Sequence, residues 1–340
     1  MKITRMTKKH IPQVIDVLRE AFDDWSLKRR GKRRNRNRKP EAILPYLELE
    51  PEGNIIAIEK NKVVGAIFCH VWGKFGWIGT LGVHPDFQEK GYGKALMVKA
   101  VEYLDKKRSV TTLALETMNA SSSNIGLYSK LGFKPAFQTM RLIRPIILSP
   151  LKETNFGKFA EENNLEINYM SQEEDKADIF TRCGWLASKI ENGLDYRTEI
   201  VLAEKHNFGE TILLKKEGFI IGFAICRTFR RYETEEVDQD LTVKILVIDK
   251  DLKDPQYLDY LLFACDKFGE KLNRTSLKMN INSSYWLVYK HLINSEFRVR
   301  STILRMIKFS EDIKSYDHHH ETHTTNIGNE WVVNCNSFSM

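Results

Sequence analysis

Nowhere does this chain of 340 residues reach the ~18 consecutive apolar residues of a membrane span, and its opening Met1-Lys2-Ile3-Thr4 lacks the apolar stretch of a signal peptide. Cysteine is sparse as well. Cys69, Cys183, Cys226, Cys265 and Cys335 are odd in number, scattered, and never spaced as C-x-x-C. That argues against a disulfide framework or a zinc ribbon and for a reducing compartment. These absences together point to a soluble, cytoplasmic protein with no membrane partner. A metal is not expected either. His318, His319, His320 and His323 sit in a polar stretch with no cysteine pattern or fixed carboxylate beside them.

Acidic residues are missing from one segment in particular. Residues 28–39 (KRRGKRRNRNRK) hold nine Lys/Arg and no acid, so with a net charge of +7 overall the rest of the chain carries −2. The positive charge is one local block. Having almost nothing apolar to bury, it is expected to be a mobile loop. It could attract an acidic partner or RNA, although the block contains no aromatic residue on which a base would stack.

What is present is a repeated order of elements. Thr7 as N-cap and Ile11, Val14, Ile15, Leu18 and Phe22 at helical spacing predict a first helix, and Ile43–Leu49 a short apolar element. NIIAIEK, KVVGAIFCHVW and FGWIGTLGVH read as strands from Asn54 onward. A glycine loop, a helix through Leu104, the strand 111–118, a short helix and a last strand follow. After a polar connector at 149–164 the order recurs, and Val64-Gly65-Ala66-Ile67 lines up with Ile221-Gly222-Phe223-Ala224, as GLYSKLGF (126–133) does with LVYKHLINSEF (287–297). The expected organisation is two α/β domains, 1–148 and 165–310, joined by 149–164 and followed by a polar tail at 311–340. Strand, glycine loop, helix and strand form a crossover unit, so each sheet should be mixed.

The chemistry is concentrated between Leu81 and Phe133. The strand WIGTLGVHP runs into Gln88-Glu89-Lys90-Gly91-Tyr92-Gly93-Lys94 at a helix start, where inward amides and positive partial charge suit a pyrophosphate. Two other phosphate loops do not fit. A P-loop would need glycine at Gln88 and Ser/Thr at Ala95, and a dinucleotide fingerprint would need glycine at Leu96.

The loop does match Q/R-x-x-G-x-G/A, and LETMNASSSNIGLYSKLGF (115–133) ends in L-Y-x-K-x-G-F. On these two motifs residues 1–148 resemble the GNAT acyltransferase superfamily. The resemblance implies two GNAT-like domains in tandem, each a mixed, mostly antiparallel central sheet flanked by helices. It also implies acetyl-coenzyme A as donor, with its pyrophosphate on the amides of Gln88 to Lys94, namely Gln88, Glu89, Lys90, Gly91, Tyr92, Gly93 and Lys94. The pantetheine arm would lie along the backbone of Leu81, Gly82 and Val83 and near Ser121, where the family often has asparagine. Tyr128 occupies the family's general-acid position.

The base is harder to assign. The strand WIGTLGV has no carboxylate, which leaves Glu116, His84, His70 or a water chain, and Glu116 is carried forward with Tyr128 as the catalytic pair. The expected reaction is direct acetyl transfer to a primary amine. The alternative is a non-catalytic acyl-coenzyme A-binding regulatory or RNA-associated module. The second repeat has Lys250-Asp251-Leu252-Lys253-Asp254-Pro255-Gln256 in place of the glycine loop. Its acids would repel phosphates, so Tyr289 and Asn282, which align with Tyr128 and Ser121, should serve no donor.

Overall fold

The structure is a computed structural model that describes residues 1–233 and 239–310. The tail at 311–340, with its four histidines and Cys335, lies outside the described residues.

The first half begins with a short strand that sequence pattern did not announce, β1 (Lys2–Arg5), paired antiparallel to β2 (Asn54–Glu59). Between them Thr7 caps a single 3-10 turn, its amide donating to His10 Nδ1 at 3.0 Å. The turn leads into α1 (Ile11–Arg30), which buries Val14 and Leu18 and ends at Gly31, where φ is +70°. After α2 (Leu44–Leu49), strands β2, β3 (Lys62–Trp72) and β4 (Phe75–Val83) form a meander. Helix α3 (Tyr92–Glu102) crosses to β5 (Thr112–Thr117), which pairs parallel to β4. Helix α4 (Ser122–Lys130) and β6 (Lys134–Pro145) complete this half.

Residues 149–164 are not an open connector: α5 (Pro150–Glu162) occupies most of them. Ser149 Oγ accepts from the Lys152 amide at 3.3 Å, and Pro150 opens the first turn, as a helix start favours. The polar composition hides a narrow apolar stripe. Phe159 is buried, and Phe156 stacks on Phe263 with ring centroids 4.7 Å apart.

The second half repeats the scheme with β7 (Leu165–Tyr169), α6 (Ala177–Ile190), α7 (Arg197–Lys205), β8 (Gly209–Lys216), β9 (Phe219–Arg227) and β10 (Asp240–Ile248). Then come α8 (Gln256–Lys271), β11 (Ser276–Asn282), α9 (Trp286–Asn294) and β12 (Arg298–Phe309). Strand β7 and helix α7 also escaped the sequence pattern.

Among the described residues twelve strands form one sheet, in the order β1-β2-β3-β4-β5-β12-β6-β11-β10-β9-β8-β7. The order reads the same from either edge once each strand is matched to its repeat, so the halves meet about a pseudo-twofold between β12 and β6. Each half has exchanged its last strand: β12 lies beside β5, and β6 beside β11. Only β4–β5 and β10–β11 are parallel, so the sheet is mixed and mostly antiparallel, with helices against it. One core crosses the halves, with Val14, Leu18 and Phe68 in the same apolar cluster as Tyr196, Phe223 and Ile245. Among the described residues no helix is long and apolar enough to cross a membrane.

The basic block is ordered. Its first residues continue α1, and the remainder folds back on it: the amides of Arg34 and Asn35 donate to Asp23 Oδ1 at 2.8 and 3.0 Å. The Lys39 amide donates to the Arg231 carbonyl, and Arg38 bridges to Tyr232. The apolar surface missing from the block comes from Phe22, Trp25 and Tyr232, over which Arg34, Arg36 and Arg38 lie.

Candidate active site

The site begins with a fault in β4. Ile67 pairs with Leu81 but Cys69 pairs with Ile78, so Gly79 and Thr80 together face Phe68. A bulge of this kind bends a strand away from its neighbour. Parallel pairing with β5 accordingly stops at Ile78–Leu115, while β4 continues to Val83. The backbone of Leu81, Gly82 and Val83 therefore lies beyond the β5 ladder at a splayed edge, on the residues that sequence analysis had singled out. Gly82 fits because α1 lies against it; a Cβ there would approach Leu18 Cδ2 to 2.6 Å.

From Val83 the chain enters the glycine loop, tied back by Gln88 Nε2 donating to the Val83 carbonyl at 3.1 Å. Glu89 and Gly91 have φ of +61° and +85°, a succession that turns amides toward one side. Gly91 is the residue just before α3, and the first amides of that helix, at Tyr92, Gly93 and Lys94, have no intrahelical acceptor. Gly93 carries the sharper information. Its φ is not positive, and an added Cβ would meet nothing closer than 3.8 Å, so neither conformation nor packing requires glycine. The face of Gly93 is open, which leaves space for a ligand against the backbone. Glu89, Lys90 and Lys94 are exposed at its rim, and Lys90 Nζ donates to the Asp86 carbonyl at 2.6 Å.

Tyr128 on α4 is buried, its ring edge-on to Phe133 at 6.5 Å. It shares an apolar cluster with Tyr92 and Leu96 of α3 and with Leu81 and Val83 at the splayed edge. Burial pushes its hydroxyl up to about 12, so the group keeps its proton at neutral pH. Ser121, also buried, caps α4 through its carbonyl, which accepts from Ile125 at 3.0 Å.

The base candidates are all engaged. Glu116 Oε1 accepts from Arg305 Nη2 at 2.8 Å and from the Thr139 hydroxyl at 2.5 Å, on β12 and β6 respectively. Its carboxylate thus balances a cation from the other half of the chain, a pairing created by the strand exchange and invisible in local sequence. Glu116 Oε2 is buried without a hydrogen-bond partner. His84 Nδ1 accepts from the Asp86 amide at 3.3 Å and belongs to the turn. His70 is buried, with Nε2 2.9 Å from the Gly79 carbonyl in the bulge, so this nitrogen carries the hydrogen. Burial lowers its pKa to about 4, and His70 is neutral at physiological pH.

The second half repeats the splay without the cradle. Pairing of β10 with β11 stops at Val243–Met279, next to a bulge at Lys244, while β10 continues to Ile248. The Asp254 carboxylate, however, accepts from the Gln256 amide at 2.9 Å and so occupies the N-terminus of α8. Asp249 and Asp251 hold Lys189. Asn282 Oδ1 is used by the Ser284 amide at 3.0 Å. Sequence analysis did not find Glu199, buried on α7, which accepts from Trp72 Nε1 at 3.1 Å and pairs with Lys244 across the halves.

Comparisons with known proteins agree with this geometry. Residues 14–133 match the model of the acetyltransferase (GNAT) family. The ribosomal protein bS18-alanine N-acetyltransferase of Escherichia coli is 41% identical over 57 residues, 17% of this chain and 38% of that protein. An acetyltransferase of Yersinia enterocolitica is 31% identical over 91 residues, 26% of this chain and 62% of that one. The chain thus spans under two thirds of either relative. Among solved structures, a GCN5-related N-acetyltransferase from Sphaerobacter thermophilus superposes with a TM-score of 0.57 at 10% identity, covering 91% of this chain and 95% of that one. A tandem GNAT protein from the clavulanic acid biosynthesis pathway also has a TM-score of 0.57, at 11% identity, with 91% and 98% covered. At these identities the likeness establishes the fold. The match to the acetyltransferase (GNAT) family spans the glycine loop and Tyr128 within residues 14–133, in a chain with the tandem GNAT fold.

Proposed function

We propose that the protein transfers an acetyl group from acetyl-coenzyme A to a primary amine, with the donor bound by the first half alone. The observation that carries this reading is Gly93, a glycine demanded by neither backbone nor packing, in a loop of amides beside a splayed strand edge. The amides of Gln88 to Lys94 would hold the pyrophosphate, and the backbone of Leu81 to Val83 the pantetheine arm. A backbone N–H at that edge would stabilise the oxyanion formed on the acetyl carbonyl.

The amine nitrogen attacks that carbonyl, forming the C–N bond, and the C–S bond then breaks. An alkylamine with a pKa near ~10.4 must first lose a proton, which costs roughly 4–5 kcal/mol at neutral pH. With Glu116 committed to Arg305 and His84 to its turn, that proton passes to solvent water. Tyr128, protonated throughout this range, donates to the departing thiolate and is reprotonated from solvent. An amine acceptor is also consistent with the Escherichia coli relative, named for transfer to an alanine of a ribosomal protein. In the second half Asp254 fills the helix N-terminus that a pyrophosphate would need, so that half shapes the acceptor side and binds no donor.

Calorimetric titration of acetyl-coenzyme A into the wild type and a Gly91→Glu variant tests the reading. Binding that is lost in the variant supports it. A folded wild type that does not bind removes it.

A further inference from the structure

The densest chemistry outside the donor cradle lies between the second half of α1 and the 31–39 turn. A cavity of about 40 Å³ there is lined by Arg19, Arg34, Arg36 and Arg38, with Phe22 and Tyr232 as aromatic walls. Asp23 is the one carboxylate among the described lining residues; its Oδ1 receives two backbone amides, and its Oδ2 is buried without a hydrogen-bond partner. Arg19 is paired with Asp16 and Glu20, which leaves Arg34, Arg36 and Arg38 as the cations at this space.

Arg38 is the telling residue. It is only 5% exposed, yet its Nε and Nη1 are buried with no hydrogen-bond partner. A buried cation with empty donors is costly unless an anion completes it. The group is also held in place. The Arg36 and Arg38 guanidiniums lie 5.8 and 5.9 Å from the Tyr232 ring centroid, and Arg34 lies 5.7 and 5.5 Å from Phe22 and Trp25. Burial, and then the charges of Arg30, Arg36 and Arg141, hold Arg34 below its ordinary value. A fixed planar fork of donors suits carboxylate or phosphate oxygens.

The position matters as much as the charge. Leu18 lines this cavity and also packs on Gly82 at the splayed edge. Farther along the same helix, Arg29 donates to the Ala120 carbonyl in the loop before α4. The cavity thus lies one side chain from the strand where acyl transfer would occur.

We propose that this cavity is an anion subsite that seats a carboxylate or phosphate carried by the acceptor, so that the acceptor is an anionic amine. Its meaning as an acceptor subsite rests on the acetyl-transfer reading, but its affinity for an anion does not.

The test uses the full chain at constant ionic strength, with inorganic phosphate and succinate as separate probes. Affinity is read from the concentration dependence of thermal unfolding. At least one anion should bind the wild type saturably, and roughly tenfold or more weakly in Arg38→Met, with Arg38→Lys recovering part of the loss. The tighter probe identifies the group as phosphate or carboxylate. Should Arg38→Met be unfolded by circular dichroism, Arg34→Gln and Arg36→Gln answer the same question from the rim. Acetyl-coenzyme A affinity, measured in parallel, should not change in any variant. No saturable binding of either probe, or equal binding in wild type and variants, overturns the subsite. Failure of acetyl-coenzyme A to bind overturns the acetyl-transfer reading separately.

Discussion

Tyr128 and His70 differ in what burial does to them. Burial keeps the Tyr128 proton in place, which suits a group that must donate to a thiolate. Tyr128→Phe should lower kcat by roughly a hundredfold or more and leave acetyl-coenzyme A affinity unchanged, as single-turnover kinetics and calorimetry would report. Burial strips His70 of its charge, and its folded pKa of about 4 lies below the ordinary 6.5. Between these values the unfolded chain binds the extra proton, so stability is full above pH 6.5 and declines as pH falls toward 4. The contribution is on the order of 3 kcal/mol, and urea unfolding of wild type against His70→Gln across pH 4–7 should show a shallower slope in the variant.

Glu116 poses a different question, because its sequence position suits a base and its structural position suits a strut. Breaking the buried pair by Arg305→Met should cost about 3 kcal/mol, and adding Glu116→Gln should recover much of it, as a denaturation cycle would reveal. If Glu116 is a base, kcat collapses in the double variant despite restored stability. If it is a strut, kcat follows stability.

At the scale of elements, the glycine loop separates ligand binding from folding. Gly93 lies in the first turn of α3 with room for a Cβ, so Gly93→Ala replaces a conformationally free residue with a better helix former and should leave the melting temperature equal or slightly higher. The same methyl should weaken acetyl-coenzyme A binding in calorimetry. A variant that binds the donor normally would make Gly93 an ordinary helix residue. The elements most legible in the sequence were those with a strong period or special residues. Strands β2 to β4 and helix α1 stand where their period places them. Short edge strands such as β1 and β7 have too few residues to show a period, and α5 was masked because its stripe rests on two phenylalanines.

At the scale of the molecule, the strand exchange makes the halves inseparable. A fragment ending at residue 148 would lose β11 and β12, baring one side of β5 and both sides of β6, and would strip Arg305 from Glu116. Expressed alone it should aggregate or remain unfolded, whereas co-expression with 149–340 should recover a soluble complex, as size-exclusion chromatography would detect. Independent folding of the fragment as a stable monomer would contradict the exchanged sheet.

Local chemistry was enough to read the tandem repeat and the crossover unit, because hydrophobic period, glycine and charge act within a few residues. Strand order, the ion pairs Glu116–Arg305 and Glu199–Lys244, and the folding of the basic block onto Phe22, Trp25 and Tyr232 were decided only in three dimensions. Each joins residues well separated along the chain or depends on which of two equivalent strands fills a slot. The pattern along one strand carries no record of which neighbour it will meet.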